Sequence, residues 1–258
     1  MNELFKISAV QAVDLLKSGE ISPIDLIEEA ITRIETVDER INALPIRCFE
    51  RERQQAINAK ISCSNQPNYL YGLPIAVKDY NDVGGVRTTY GSPIYAENVP
   101  EKSDATVCHL ENNGAIPIAK SNVPEWAGGH TFNPLFGITR NPWNLKLSAG
   151  GSSGGSAAAL ASGMVWLATG NDLGGSLRTP AAFNGVIGCA RDPGLLHGGK
   201  GYRPLIVFGL KVQWGDVLKM WHSCLTPSPD TTKKILFPSQ DQKRHFQKPP
   251  KILARPRK

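Results

Sequence analysis

Apolar residues recur at helical spacing over the first part of the chain and then give way to short apolar runs. Residues 7–18 carry a helical repeat that stops near Gly19. Ser22 and Pro23 open a longer helix whose stripe is Ile24, Leu26, Ile27, Ala30, Ile31 and Ile34, with Ser22 as N-cap. These stripes predict core packing rather than a partner-binding face. Pro74-Ile75-Ala76-Val77 reads as a short buried strand, residues 104–113 as a helix closed by Gly114, and residues 115–119 as a second strand. Residues 157–168 are small and apolar, which suits a helix buried on most sides. That run falls well short of the roughly 20 apolar residues that span a bilayer. Strands alternating with helices predict an α/β sheet, and no internal repeat interrupts it.

Three segments inside this frame carry chemistry. Gly150-Gly151-Ser152-Ser153-Gly154-Gly155-Ser156 opens the apolar run, and a Gly/Ser loop at a helix start suits an anion. It is no phosphate-binding P-loop, because Ser156 stands where the lysine after the last glycine is needed. Nor does a flexible linker run directly into a buried helix. The second segment is Asp172-Leu173-Gly174-Gly175-Ser176-Leu177-Arg178. Consecutive N–H groups around two glycines can form a nest for negative charge, with Ser176 at its end. A plain Gly-Gly turn with a solvated serine fits the same residues. The third is Gly72-Leu73-Pro74-Ile75-Ala76-Val77-Lys78-Asp79, an apolar strand that delivers a lysine inward. Desolvation disfavours an ammonium, and a neutral lysine can serve as a base. Pairing of Lys78 with the adjacent Asp79 is the alternative. Serine is a poor nucleophile without a proton acceptor and a cradle for the oxyanion it creates, and these segments hold groups suited to both tasks.

Taken in order, these segments resemble the amidase signature family. Lys120-Ser121-Asn122-Val123-Pro124-Glu125, Gly137-Ile138-Thr139-Arg140-Asn141-Pro142-Trp143-Asn144 and the run from Thr179 to Gly188 extend the likeness over residues 5–191. The resemblance implies a mixed β-sheet core flanked by helices. It implies Ser176 as nucleophile, Ser152 as a bridging serine after a cis peptide, and Lys78 as the base that ends the relay. Backbone N–H groups of Leu173, Gly174, Gly175 and Ser176 would form the oxyanion hole, with Ser153, Asp172 and Arg178 as structural support. Asn171 and Leu173 depart from the small hydroxyl residues that the family often carries there. The substrate implied is a small-molecule amide, and neither metal nor organic cofactor enters the scheme. Hydrolysis is the first reading, on Val123-Pro124-Glu125-Trp126 and Asn133-Pro134-Leu135-Phe136. The alternatives are a glutamine-using amidotransferase subunit with partner subunits, and a non-catalytic remnant.

Composition changes the picture at one point. With 258 residues, 41% of them hydrophobic, the chain can bury a sizeable core. Met1 to Lys6 passes straight into an amphipathic pattern with no leader segment, and the cysteines at 48, 63, 108, 189 and 224 lack metal or redox spacing, so a reducing cytoplasm is expected. Charge, however, is uneven. Residues 1–190 hold 15 Lys and Arg against 19 Asp and Glu, whereas residues 191–258 hold 14 against 4. The second stretch is also rich in proline and short of periodicity. We therefore divide the chain into an amidase-signature domain over residues 1–190 and a basic, Pro-rich tail over 191–258. The tail reads as an aberrant or disordered end, in which the C-terminal part of the family pattern is missing through a frameshift or truncation. A basic arm for nucleic acid is the other reading, but only Trp214, Trp221 and Phe246 offer stacking, with no recognition motif around them. Nucleic-acid and membrane partners are not expected.

Overall fold

The structure, a computed structural model, describes residues 4–58 and 69–189, and the backbone of residues 204–208. These residues lie in one compact unit, Met1–Thr226. Helices α1 (Ala9–Ser18), α2 (Pro23–Ile41), α3 (Phe49–Asn58), α4 (Ala105–Asn112), α5 (Gly154–Ala161) and α6 (Arg178–Asn184) are interspersed with strands along the chain. The strands are β1 (Ile46–Arg47), β2 (Pro74–Lys78), β3 (Ile116–Ser121), β4 (Phe132–Asn133), β5 (Gly137–Ile138), β6 (Arg140–Asn141), β7 (Asn144–Ser148), β8 (Leu167–Asn171), β9 (Ile187–Cys189) and β10 (Pro204–Phe208). Six of them form a mixed sheet in the order β1-β3-β2-β8-β10-β9, and β4–β5 and β6–β7 are small hairpins.

Ser22 caps α2 as expected, and Ser8, read as part of the first helix, instead caps α1; each does so through a reciprocal box, with Asp25 and Gln11 as the returning side chains. Gly19 closes α1 in the left-handed region. Along α2 the buried face is Leu26, Ile27, Ala30, Ile31, Ile34 and Ile41, so the predicted stripe runs about two turns further, while Ile24 at its start is only half-buried. Asp38, on the same face, turns its carboxylate to the N–H groups of Ala43 (2.7 Å) and Leu44 (3.2 Å), fixing the chain as it leaves the helix.

Strands β2, β3 and β8 are buried throughout, and β2 runs parallel to both neighbours. Continuous apolar runs suit a sheet covered on both faces. Because the three strands are parallel, their C-terminal ends share one edge, which collects Lys78, Lys120, Ser121 and Asn171. Ligands in open α/β sheets bind at that edge.

Two expectations change. The apolar run 157–168 is not one helix: α5 ends at Ala161, Gly163 takes φ +72°, and Leu167 begins β8. A short apolar run does not reveal its period, and the left-handed glycine decides the matter. Residues 204–208 lie within the stretch read as a tail without periodicity, yet they form β10, antiparallel to β8 and β9. Pro204-Leu205-Ile206-Val207-Phe208 is itself a proline-bounded apolar run, a strand signal overshadowed by the surrounding charge. The readings made for residues 190–203 and 209–258, including Trp214, Trp221, Phe246 and Cys224, and for Cys63, lie outside the described residues. Among the described residues no helix is long and apolar enough to cross a membrane.

Helix α5 seats against β3 and β8 through small residues. Ser156 Oγ lies 2.6 Å from Ser121 Oγ and donates to the Thr169 carbonyl at 2.7 Å. A Cβ on Gly155 would stand 2.4 Å from the Asn122 nitrogen and 2.8 Å from the Ala43 carbonyl oxygen, both backbone atoms. Gly155→Ala is therefore expected to destabilise the fold by roughly 1–3 kcal/mol, the usual cost of overpacking. Urea unfolding beside the parent protein measures it, and an unchanged midpoint would mean that α5 is less tightly seated.

Candidate active site

Strand β2 carries Lys78 to its C-terminal end and buries it completely. Its backbone N–H donates to Thr169 Oγ1 on β8 at 2.8 Å, which locks the strand end in place. The amine Nζ lies 2.7 Å from Ser152 Oγ, makes a second hydrogen bond to Asn171 Oδ1, and sits 5.9 Å from the centre of the Tyr80 ring. Burial pulls the Lys78 amine down to about 7, and the charge of Asp172 opposes the fall only in part.

The alternative pairing of Lys78 with Asp79 does not occur. Asp79 turns the other way, accepting from Thr89 Oγ1 at 2.5 Å and meeting Lys120 Nζ at 3.3 Å. Lys120 is equally buried and donates to Thr88 Oγ1 (2.6 Å) and the Asn81 carbonyl (2.7 Å). Burial pushes the Asp79 carboxyl up and the Lys120 amine down, and each holds the other toward its charged form. Sequence reasoning missed this pair, although the signal was present. Ile116-Pro117-Ile118-Ala119-Lys120 repeats the pattern of an apolar strand ending in lysine.

The Gly/Ser loop brings Ser152 to the amine. The Gly151–Ser152 peptide is cis, as the resemblance implies, and Gly150 takes φ +75°. Gly151 passes so close to another loop that a Cβ there would fall 2.1 Å from the Gly129 carbonyl oxygen. Gly154 N–H donates to Thr131 Oγ1 (3.0 Å), and Thr131 N–H donates to the Gly150 carbonyl (3.0 Å). Ser153 N–H donates to the Ser176 carbonyl at 3.0 Å, which ties the two serine loops together. Ser153 Oγ is buried without a hydrogen-bond partner among the described residues, so the support Ser153 lends is through its backbone.

Asp172 organises the second loop. Its carboxylate accepts from the N–H groups of Gly175 (2.6 Å), Leu177 (3.3 Å) and Arg178 (3.3 Å), and from Arg178 Nε (2.9 Å) and Nη2 (3.0 Å). Burial alone would raise this carboxyl, but the Arg178 guanidinium and the backbone donors outweigh it and hold it at about 2. Of the four N–H groups expected at the oxyanion site, that of Gly175 is thus occupied by Asp172. Those of Leu173, Gly174 and Ser176 have no acceptor among the described residues. Leu173 is 76% exposed, so its contribution to the loop is through its backbone.

The structure therefore joins Lys78 to Ser152 and brings the Ser176 backbone to Ser153. The Ser176 hydroxyl makes no hydrogen bond to a described residue, so the link between Ser152 and Ser176 stands open. Catalytic hydrogen bonds are commonly long before substrate arrives. Among the described residues no three His, Cys, Asp or Glu converge on a metal position.

The family profile described as Amidase matches residues 25–190. The A-type subunit of glutamyl-tRNA(Gln) amidotransferase from Sulfolobus acidocaldarius is 43% identical over 178 residues, covering 68% of this chain and 37% of that protein. The protein of the same name from Geobacillus kaustophilus is 44% identical over 189 residues, covering 72% of this chain and 39% of that protein. A solved amidase superposes with a TM-score of 0.70 at 32% identity, covering 83% of this chain and 51% of that one. The chain thus spans about two-fifths of the length of the curated relatives.

Asp172 has a pH signature. Its folded value, about 2, lies below the ordinary 3.8, so its contacts stabilise the fold fully above the ordinary value and cease to do so as the pH falls through about 2. Asp172→Asn is expected to melt several degrees below the parent at neutral pH, with the gap closing as the pH drops from about 4 to about 2. Melting curves across that range test it, and a gap independent of pH would mean that the carboxylate's charge is immaterial.

Proposed function

The chain belongs to the amidase signature family, and on that basis we propose that it cleaves the C–N bond of a small carboxamide through an acyl-serine at Ser176. Ser176 Oγ attacks the carbonyl carbon and passes its proton to Ser152, whose own proton goes to the neutral amine of Lys78. The oxyanion formed takes hydrogen bonds from the N–H groups of Leu173, Gly174 and Ser176. Running the relay backwards gives the departing nitrogen its proton, and water then repeats the sequence to release the carboxylate. No metal or organic cofactor has a step in this scheme. The observation that carries the reading is the 2.7 Å contact between Ser152 Oγ and a fully buried lysine whose amine is pulled down to about 7. Such a lysine is half neutral at physiological pH, whereas an ordinary one is almost wholly protonated. The reducing cytoplasm is our placement for the reaction, and Cys48, Cys108 and Cys189 are free thiols.

A second reading has its own support. Both curated relatives described above are named as amidotransferase subunits, at higher identity than the solved amidase. In that reading the amide is glutamine, the relay releases ammonia, and partner subunits complete the enzyme. Glutaminase activity seen only when partner subunits are added would favour it. Turnover of simple amides by the chain alone would favour hydrolysis.

Labelling with a fluorophosphonate, read by intact mass, tests the relay common to both. One adduct per chain is expected, absent in Ser176→Ala and formed at least about a hundredfold more slowly in Lys78→Ala. Because the active form of Lys78 is the neutral one, the labelling rate should climb as the pH passes about 7 and level off above it. A parent protein that takes no label, or a Lys78→Ala protein labelled at the parent rate, overturns the assignment.

A further inference from the structure

We infer that Asn171 is a positioning residue for the relay, accepting one N–H of the Lys78 amine and so turning the nitrogen's lone pair toward Ser152. The inference rests on the relay proposed above and adds a residue to it. A neutral lysine amine has two N–H bonds and a single lone pair. To take a proton from Ser152, that lone pair must face Ser152 Oγ, so the N–H bonds must be directed elsewhere. Asn171 lies at the C-terminal end of β8, beside the end of β2, and its Oδ1 accepts from Lys78 Nζ. Asn171 is buried. The 2.8 Å bond from Lys78 N–H to Thr169 Oγ1 anchors the same two strand ends to each other.

The choice of side chain matters. A carboxamide oxygen only accepts, so it receives an N–H and leaves the lone pair alone. A serine or threonine here, the small hydroxyl residues expected from the family resemblance, has an O–H of its own that can point into the lone pair and compete with Ser152. An aspartate would accept as well, but its charge would hold the amine as an ammonium with no lone pair to offer. Asparagine alone among these accepts without donating from that atom and without adding charge. Among the described residues the groups facing the amine are Ser152, Asn171, the Tyr80 ring and the charge of Asp172, while Asp79 is engaged with Lys120.

The test reads the amine directly and needs no turnover. In protein labelled with 13C-lysine, the Cε resonance of Lys78, assigned by its loss in Lys78→Ala, reports protonation as the pH is varied. The parent midpoint is expected near 7. Asn171→Asp should raise that midpoint by about one to three pH units, as an adjacent carboxylate does. Asn171→Ala should lower it, because the ammonium loses an acceptor. Fluorophosphonate labelling of Ser176 should slow by about tenfold or more in Asn171→Ala, since loss of alignment on the 1 Å scale costs up to about a hundredfold. In Asn171→Asp it should slow at neutral pH and recover in alkali. Matching melting temperatures show that each variant is folded, and Asn171→Gln, which keeps the carboxamide, provides a second reading should one unfold. Midpoints and rates within twofold of the parent in both Asn171→Asp and Asn171→Ala would overturn the inference. Labelling unaffected by Lys78→Ala would instead sink the relay itself, and the resonance midpoints would still report whether Asn171 holds the amine.

Discussion

The site depends on which of two buried lysines keeps a carboxylate. Strands β2 and β3 lie side by side and end in Lys78 and Lys120, both withdrawn from water. Burying an ammonium costs several kcal/mol, which must be met by a partner or avoided by losing the proton. Asp79 stands next to Lys78 in the chain, but it meets Lys120 at 3.3 Å. Two opposite charges about 4 Å apart attract by about 4 kcal/mol at an effective dielectric of 20, equivalent to about three pH units on a titrating amine. Had Asp79 turned to Lys78, that attraction would have cancelled most of the effect of burial and left a locked ammonium. With Asp79 held by Lys120 and Thr89, burial is free to pull the Lys78 amine down to about 7.

Strand direction brings the remaining groups to the same place. Parallel pairing of β2 with β3 and β8 sets Lys78, Lys120 and Asn171 along one edge, and the chain leaving β8 becomes the Asp172 loop within a single residue. Across that edge lies α5, close because its first residues are glycine, serine and alanine. The same smallness lets the Ser152 loop run against the Gly129 carbonyl. Large side chains in either segment would hold Ser152 away from the lysine. Composition here acts as a distance constraint.

Much of this was legible beforehand. The Ser22 cap, the glycine stop after α1 and the apolar stripe of α2 are local signals, and local signals survive folding because their partners lie close by in the chain. Lys78 at a strand end was legible for the same reason. Its environment was not, since the pairing of Asp79 with Lys120 joins positions 41 residues apart, and the contact with Asn171 joins positions 93 apart. The misread run 157–168 failed for a different cause: small apolar residues fill a buried helix and a buried strand equally well, and only the conformation of Gly163 separates them. Strand β10 was obscured by a regional average, in which the charge of residues 191–258 hid a short apolar run.

The second loop repeats the electrostatic logic of the first. Asp172 is the carboxylate whose charge reaches Lys78, and an unaccompanied anion there would draw the amine back toward its protonated form. Arg178 lies against it with two hydrogen bonds, and three backbone N–H groups share the remaining negative charge. Each acid beside the lysine is thus balanced by its own cation, Asp79 by Lys120 and Asp172 by Arg178. The arrangement differs in exposure: the first pair is sealed in the core, whereas the Arg178 side chain is 59% exposed. Lys78 and Ser152 therefore sit in dry surroundings, while Ser176 lies on a half-exposed loop whose carboxylate brace is Asp172. In the relay proposed above, the base would thus lie in the core and the nucleophile on the loop that Asp172 shapes.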